Sequence, residues 1–168
     1  MEIIAIIILL LALWLSINYA LLKGEHYSAE KAFEHIYKKI KAQYGEVQEF
    51  LDSVKTNSAQ KELIDETLGY ITKALGFSIE KDGNERIIGY ANAISENTKK
   101  IKTEIASKEN LDENIKNVLG KYESALNNFN KEKDAYNLTA KRLRHYLDVF
   151  PTSFMARLQR ITTMDYLK

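Results

Sequence analysis

The residues best suited to chemistry in this chain are its three histidines, since imidazole can ligate a metal or carry a proton. His26, His35 and His145 are far apart in sequence, and the helical metal motif His-Glu-x-x-His is absent. We expect none of them to have a second ligand one helical turn away. A site bridged from separate helices stays open, but histidines on solvated faces are the favoured interpretation. The sequence therefore predicts no metal centre.

A second candidate is the pair Ser28 and Lys31, which has the Ser-x-x-Lys spacing of some acyl-transfer enzymes. That chemistry also needs an oxyanion hole and further motif residues, which the sequence does not provide. Ser28 is better interpreted as the N-cap of a helix. No glycine-rich phosphate loop occurs either. We expect no catalytic residue and no cofactor.

Acidic residues cluster at two places in the sequence, at Glu62, Asp65 and Glu66 and again at Asp112 and Glu113. Each cluster lies in or near the first turn of a predicted helix. Negative charge is favourable there because it complements the helix dipole. These clusters are therefore predicted to be structural.

Tyrosine is abundant, with ten residues, and Tyr44, Tyr122 and Tyr136 fall on predicted buried stripes. Core packing with a hydroxyl at the rim explains them, while a tyrosine-lined ligand groove remains the alternative. The triplet 137–139 has glycosylation spacing, but it lies in the middle of a predicted helix, so we discard that interpretation.

The elements that position these residues begin with an apolar stretch, residues 3–22, whose only polar side chains are Ser16 and Asn18. Twenty helical residues extend roughly 30 Å, the thickness of the hydrocarbon core of a bilayer. A cleaved signal peptide is the alternative, but the stretch is too long and no basic residue precedes it. We predict a retained transmembrane anchor over residues 1–23.

Charge predicts how the anchor is oriented and which partners are excluded. Basic residues favour the cytoplasmic side, and five lysines follow the apolar stretch within about 20 residues: Lys23, Lys31, Lys38, Lys39 and Lys41. We therefore expect the N-terminus outside and the body in the cytoplasm, at the cell (inner) membrane.

The overall composition excludes some classes of protein. With 24 Lys plus Arg against 23 Asp plus Glu, the chain lacks the positive electrostatic field of nucleic-acid binders, so we do not expect nucleic acid as a partner. The absence of cysteine excludes a disulfide scaffold.

Apolar residues spaced by three or four predict four helices in residues 24–150. The first stripe is Phe33, Ile36, Ile40, Tyr44, Val47, Leu51 and Val54; the second is Ile64, Leu68, Ile71 and Leu75. The third is Ile87, Ala91, Ile94, Thr98, Ile101 and Ile105; the fourth is Ile115, Val118, Tyr122, Leu126, Phe129, Lys133, Tyr136, Ala140, Leu143, Leu147 and Phe150. Four such helices joined by short connections favour an elongated antiparallel up-down bundle with coiled-coil-like seams.

The connections are predicted from capping and turn residues. Asn57 and Gln60 have the spacing of a capping pair for the second helix, which should end at Gly76. Residues 77–83 are predicted to be a loop, with Asn84 capping the third helix. Asn110, with Glu113 three residues later, is predicted to open the fourth helix.

Residues 151–168 are predicted to form a short amphipathic segment with Phe154, Leu158 and Ile161 on one face. Basic residues dominate from Lys141 to Lys168. Such a segment can rest on anionic lipid headgroups if the fourth helix returns to the bilayer, or it can cap the open end of the bundle. Both interpretations stay open.

Several motifs resemble the LemA family of membrane-anchored helical proteins. Tyr136-Asn137 is similar to the family's Tyr-Asn in its last long helix, and Phe150-Pro151 followed by Ser153 to Ala156 is similar to its Phe-Pro-x-Asn-Leu-Ile-Ala stretch. A second similarity lies near the anchor, where the family has a segment with Ala-Trp, Ile-Asp, Leu-Lys-Arg-Arg and Asn-Leu-Val. The residues of this chain that resemble that segment are Ala32, Phe33, Ile36, Lys41, Tyr44, Phe50, Leu51, Val54 and Lys55. Departures include Gln48 for Pro, Leu143-Arg144 for a second Tyr-Asn, and Arg160 where a Gly-Phe pair begins, which indicates a divergent member.

The resemblance implies a four-helix bundle at the inner membrane and no catalytic residues. The leading hypothesis is a non-enzymatic scaffold or adaptor that recruits an unknown protein partner or lipid. The alternatives are a self-associating, coiled-coil, envelope-shaping homo-oligomer and, third, a hydrolase with a site assembled between helices.

Overall fold

A computed structural model describes residues 2–108 and 111–168 of the chain, and within those ranges its secondary structure is entirely helical. The expectation of an all-α fold is confirmed. The described helices are α1 (Glu2–Val54), α2 (Lys61–Leu75), α3 (Ile79–Ala106), α4 (Glu113–Asp148) and α5 (Thr152–Gln159).

The apolar stretch and the first helix of the body form one continuous helix, α1, of 53 residues. The prediction that a separate helix begins at Ser28 is wrong, because Ser28 lies inside α1. Between the two predicted helices only Gly24 disfavours helix, at a cost of about 1 kcal/mol relative to Ala, and no Pro interrupts the chain. The predicted stripe of α1 is confirmed, since every residue from Phe33 to Val54 named for it is buried.

The connection from α1 to α2 is a tight turn organised by Ser58. The backbone N–H groups of Asn57 and Ser58 both donate to the Val54 carbonyl, at 3.0 and 2.9 Å, so Asn57 lies in the turn that follows α1. The Ser58 hydroxyl accepts from the Gln60 N–H at 3.0 Å. The prediction of an Asn57–Gln60 capping pair is therefore wrong, and Gln60 has no side-chain cap hydrogen bond.

The end of α2 at Gly76 is confirmed. Ile64 and Ile71 of its predicted stripe are buried and Leu68 is half-buried, whereas Leu75 is exposed. Leu75 is the last residue of the helix, so no later turn covers it.

The predicted loop over residues 77–83 is only partly correct. Ile79 to Asp82 already form a helical turn, and Gly83 then breaks the helix with φ 69° and ψ 169°. That conformation is essentially restricted to glycine, so the Asp82-Gly83 turn signal marked a kink inside α3 rather than the end of a loop. The predicted stripe of α3 from Ile87 to Ile105 is buried throughout.

α4 begins at Glu113, and the Asp112 carboxylate caps it by accepting from the Asn114 N–H at 2.9 Å. The predicted cap at Asn110 lies outside the described residues. The fourth stripe is confirmed for Ile115, Val118, Tyr122, Tyr136, Ala140 and Leu143, while Leu126, Phe129, Lys133 and Leu147 are half-buried. Phe150 is 72% exposed, which contradicts its predicted burial, because α4 ends at Asp148 and Phe150 no longer follows the helical stripe.

α5 covers only the first half of the predicted amphipathic segment. It buries Thr152 and Ala156 and leaves Phe154 and Leu158 exposed, so the predicted apolar face does not point to the core. Ile161 is not on this helix, since Arg160 adopts a left-handed conformation (φ 55°) and ends it. Residues 161–168 are non-helical.

The long helices are arranged as two antiparallel pairs. α1 runs against α4, as shown by ring contacts of Phe33 with Tyr136 (6.2 Å between centroids) and Phe50 with Tyr122 (5.0 Å). α2 runs against α3, where Tyr70 and Tyr90 meet edge to face at 5.6 Å. α1 also contacts α2, α3 and α5, so it is the element around which the molecule is assembled.

Candidate binding groove

The histidines are dispersed over the surface of the structure. His26 Nε2 lies 3.6 Å from Glu30 on the next turn of α1, so the expectation that no histidine has a second ligand one turn away is wrong for this pair. His35 Nε2 lies 3.1 Å from Glu132 of α4. Among the described residues no three His, Cys, Asp or Glu side chains come together as a potential metal site.

Ser28 and Lys31 are both on α1, and the amine of Lys31 is engaged elsewhere, 3.0 Å from Glu34. Hydrogen bonding to Glu34 raises the pKa of Lys31. A lysine acting as a general base needs a lowered pKa, so this environment is the opposite of what acyl transfer requires.

The acidic clusters lie at helix starts, as the sequence indicated. Asp65 in α2 forms an ion pair with Lys55 of α1 at 2.5 Å, and Glu66 accepts from the Tyr70 hydroxyl at 2.5 Å. Asp112 caps α4. Asp65, Glu66 and Asp112 therefore each have a structural partner.

A candidate binding site lies elsewhere, between α3 and α4. Residues 161–168, which we call the C-terminal segment, occupy it. The backbone of this non-helical segment is held by two asparagine side chains, Asn92 of α3 and Asn137 of α4. The Tyr136 hydroxyl adds a third contact by donating to the Asp165 carbonyl at 2.7 Å. The space between α3 and α4 is thus a groove that holds an extended chain.

Each asparagine of this pair forms two hydrogen bonds to the segment. Asn137 Nδ2 donates to the Leu167 carbonyl at 2.8 Å, and its Oδ1 accepts from the Leu167 N–H at 3.0 Å. Asn92 Nδ2 donates to the Tyr166 carbonyl at 3.1 Å, and its Oδ1 accepts from the Lys168 N–H at 2.7 Å. A primary amide offers a donor and an acceptor side by side, as a neighbouring β-strand does. We call Asn92 and Asn137 the asparagine pair.

Side chains of the segment occupy defined positions in the groove. Met164 and Leu167, three residues apart, are 7% and 5% exposed. The Tyr166 ring lies under the Arg144 guanidinium, 4.5 Å from ring centroid to Cζ, a favourable cation–π geometry. At the open end, Lys168 is close enough to Glu96 to help lower the pKa of that carboxyl, after the larger effects of the Lys100 hydrogen bond and charge.

The groove is incompletely filled beside Leu167. A cavity of about 40 Å³ remains there, large enough for a water molecule or an additional side-chain group. Gln43 is one of its lining residues, and the Gln43 side-chain nitrogen is buried without a hydrogen-bond partner among the described residues. The cavity is lined by Ile40, Gln43, Tyr44, Val47, Ala91, Asn92, Ile94, Ser95, Tyr122, Leu126, Phe129, Leu167 and Lys168.

Three tyrosines surround this region and are kept neutral by burial. Burial raises the pKa of Tyr122 to about 12. Burial, followed by the proximity of Tyr37, raises the pKa of Tyr44, and burial followed by Asp165 raises the pKa of Tyr136. The predicted position of all three on buried stripes is confirmed. Tyr44 and Tyr122 also line the cavity, which agrees with the alternative of a tyrosine-lined groove.

Sequence reasoning identified Asn137 in the Tyr136-Asn137 motif and in a rejected glycosylation triplet, but gave it no role. Asn92 was missed entirely. The only signal for either was a polar residue at the edge of a buried stripe, next to Ala91 and Tyr136 respectively. Because each asparagine pairs with a segment tens of residues away in the chain, local pattern could not reveal the contact.

Comparisons of the chain with protein-family models, with curated proteins and with solved structures give no match. The LemA resemblance therefore remains a prediction based on the motifs themselves.

Proposed function

We propose that this chain is a single-pass membrane protein of the LemA type that acts as a non-enzymatic scaffold or adaptor at the inner membrane. Residues 1–23 form its anchor, residues 24–150 an elongated antiparallel four-helix bundle in the cytoplasm, and residues 151–168 a C-terminal unit. The observation that carries this proposal is the continuity of α1 from the apolar stretch into the core of the body.

α1 contains one segment long and apolar enough to cross a membrane, with a mean hydropathy of 2.5 over 18 residues and none of that window buried. Its Ser16 hydroxyl and Asn18 amide donate to carbonyls one turn earlier, Ala12 and Trp14, both at 2.8 Å. Polar groups satisfied within their own helix are compatible with lipid. The body leaves this apolar part of α1 exposed, so its surface is available to contact lipid, which supports the proposal of a membrane anchor.

Continuity makes the anchor a rigid one. The whole of α1 extends roughly 80 Å, of which the 32 residues after Leu22 account for about 48 Å. Because no flexible linker separates span from body, the body is held at a fixed orientation to the bilayer. A fixed, elongated surface suits a protein that positions partners.

The end of α4 and the exposed face of α5 support a second contact with lipid. Phe150 lies beside Trp14, with 6.2 Å between ring centroids, and Trp14 is inside the apolar stretch. Phe154 and Leu158 are 60% and 70% exposed nearby on α5. Aromatic and apolar residues that are exposed next to basic residues, here Arg157 and Arg160, are typical of a helix that contacts a membrane surface.

Topology is tested most directly with single cysteines, because the chain contains none of its own. Glu2→Cys and Glu62→Cys are labelled in intact cells with a membrane-impermeant maleimide. We expect labelling of Glu2→Cys before lysis and of Glu62→Cys only after it. Labelling of Glu62→Cys in intact cells, or release of the chain from membranes by carbonate, contradicts the proposal.

The scaffold role is tested by crosslinking in native membranes followed by substitution of exposed and buried positions. A defined partner should be lost on changing exposed residues of the body and retained when a buried residue changes without unfolding. A purified chain with substrate-dependent turnover that one point substitution abolishes would contradict the non-enzymatic role.

A further inference from the structure

We propose that the groove between α3 and α4 is a recognition site for an extended peptide of a partner protein, and that the C-terminal segment is its resident intramolecular ligand. The inference deepens the proposed scaffold function, since it assigns the surface that recruits a partner and the chemistry of that partner.

Backbone recognition comes from the asparagine pair. Four hydrogen bonds from Asn92 and Asn137 satisfy backbone groups of Tyr166, Leu167 and Lys168. These bonds require an extended chain and use no side chain of the ligand. They therefore hold any extended peptide of suitable sequence, in the way that strand addition holds a peptide at a sheet edge.

Side-chain selection follows from the positions that the resident fills. The groove buries apolar residues at the places of Met164 and Leu167 and presents Arg144 to the ring of Tyr166. The matching ligand has an apolar residue, then an aromatic residue two positions later and an apolar residue next to it.

The resident is displaceable because it leaves part of its site unused. The cavity beside Leu167 has room for a larger side chain, and Gln43, one of its lining residues, has an amide nitrogen without an acceptor among the described residues. A tyrosine in place of Leu167 brings a larger side chain to this space and a hydroxyl oxygen that can accept a hydrogen bond from an amide such as that of Gln43. A partner segment with an aromatic residue at this position thus has an advantage over the resident.

The first experiment uses the full chain in lipid nanodiscs and a fluorescent peptide with the sequence of residues 161–168. The full-length double variant Met164→Asp/Leu167→Asp has a resident that no longer fits, so its groove is open. We expect this variant to bind the peptide, and the unmodified chain to bind it roughly 100-fold more weakly, because the tethered resident competes at about millimolar effective concentration.

Specificity is tested in the same open variant. Adding Asn92→Ala and Asn137→Ala should weaken peptide binding at least roughly tenfold, because the backbone hydrogen bonds are lost. Asn127→Ala, an exposed position on α4, is the matched control and should leave binding unchanged. The Leu167→Tyr peptide should bind more tightly than the native peptide, and Gln43→Leu should remove part of that gain.

Circular dichroism shows whether the open variant folds. If it does not fold, hydrogen exchange of the unmodified chain tests the proposal instead. Excess Leu167→Tyr peptide should raise hydrogen exchange at the Leu167 and Lys168 amides, since displacement frees them from the asparagine pair. No binding to a folded open variant, or binding unaffected by the asparagine substitutions, overturns the proposal. So does unchanged amide exchange in the unmodified chain.

A second copy of the chain is the other source of a matching segment. Ser95 and Lys168 both line the cavity, so the variant Ser95→Cys/Lys168→Cys reports which copy fills the groove. Oxidation should give a crosslinked monomer. A crosslinked dimer would assign the groove to exchange between copies and overturn the choice of a partner protein. These readouts do not depend on membrane topology, so a failure of the anchor proposal is recognised separately.

Discussion

The most informative single residue outside the groove is Glu104, which closes the junction of three helices. Its carboxylate accepts from the Ser58 hydroxyl at 2.5 Å, from the Ala59 N–H at 3.3 Å and from Lys108 at 2.8 Å. It thereby ties α3 to the turn between α1 and α2. Burial raises its pKa, but the hydrogen bonds from Lys108, Ser58 and Ala59 together outweigh burial, so the pKa lies below its ordinary value.

The lowered pKa has a definite consequence for stability. A carboxyl with a folded-state pKa below its unfolded value of about 4.5 stabilises the fold above that pH, and the effect disappears as pH falls through the folded pKa. We expect Glu104→Gln to lower the free energy of unfolding by about 1 to 2 kcal/mol at pH 7 and by progressively less as the pH falls below 4.5. Thermal unfolding in detergent at pH 3 to 7 measures this. Glu85→Gln, exposed on the same helix, is the control, and an equal loss at every pH would contradict the argument.

At the scale of elements, two glycines lie in different backbone conformations, one inside a helix and one at a kink, and substitution by alanine should have opposite effects on stability. Gly45 lies inside α1, and a Cβ added there meets nothing within 4 Å. Gly83 has φ 69° at the kink of α3. We expect Gly45→Ala to stabilise the protein by roughly 0.5 to 1 kcal/mol and Gly83→Ala to destabilise it by roughly 1 to 3 kcal/mol.

Thermal unfolding followed by circular dichroism measures both substitutions under one set of conditions. Each variant is the control for the other, since both make the same chemical change in different backbone conformations. A shift of both melting temperatures in the same direction would show that one of the two backbone assignments is wrong.

Helical periodicity was enough to predict the all-helical fold and most of the buried faces, but not that the apolar stretch and the first helix of the body are one helix. The stripes of α1 and α3 are complete because their residues lie in helix interiors, where spacing alone decides which side faces the core. The errors lie at ends: Leu75 and Phe150 are exposed because their helices stop there. Ser28 was assigned as a cap because a serine can begin a helix, yet nothing before it ends the preceding one.

The candidate site was far less predictable. The asparagine pair is created by a segment that returns to the groove 30 residues after Asn137 and 76 residues after Asn92, and it recognises backbone rather than side chains. Backbone groups are present at every residue, so sequence carries no record of which ones are bound. Sequence did place Tyr44, Tyr122 and Tyr136 on buried faces, which is the part of the site that periodicity can reach.

At the scale of the whole molecule, the buried tyrosines make the fold sensitive to alkaline pH. Tyr44, Tyr122 and Tyr136 are at most 4% exposed, and burial raises the pKa of each above 10, that of Tyr122 to about 12. The unfolded chain releases these protons near pH 10, whereas the folded chain keeps them. Stability from these groups is therefore fully present below pH about 10 and is lost as pH rises through the folded pKa values.

Three such groups together lower the free energy of unfolding by roughly 4 kcal/mol for each pH unit above 10, at about 1.4 kcal/mol per group. We expect cooperative unfolding between pH 10 and 12, with part of the tyrosinate absorbance rising together with the loss of helical circular dichroism. Tyr122→Phe, which keeps the ring stacked on Phe50, removes one of the three protons and should move the alkaline midpoint upward. Tyrosinate absorbance that saturates while the helical signal is intact would contradict this account, because it would mean that all ten rings are accessible to solvent in the folded protein.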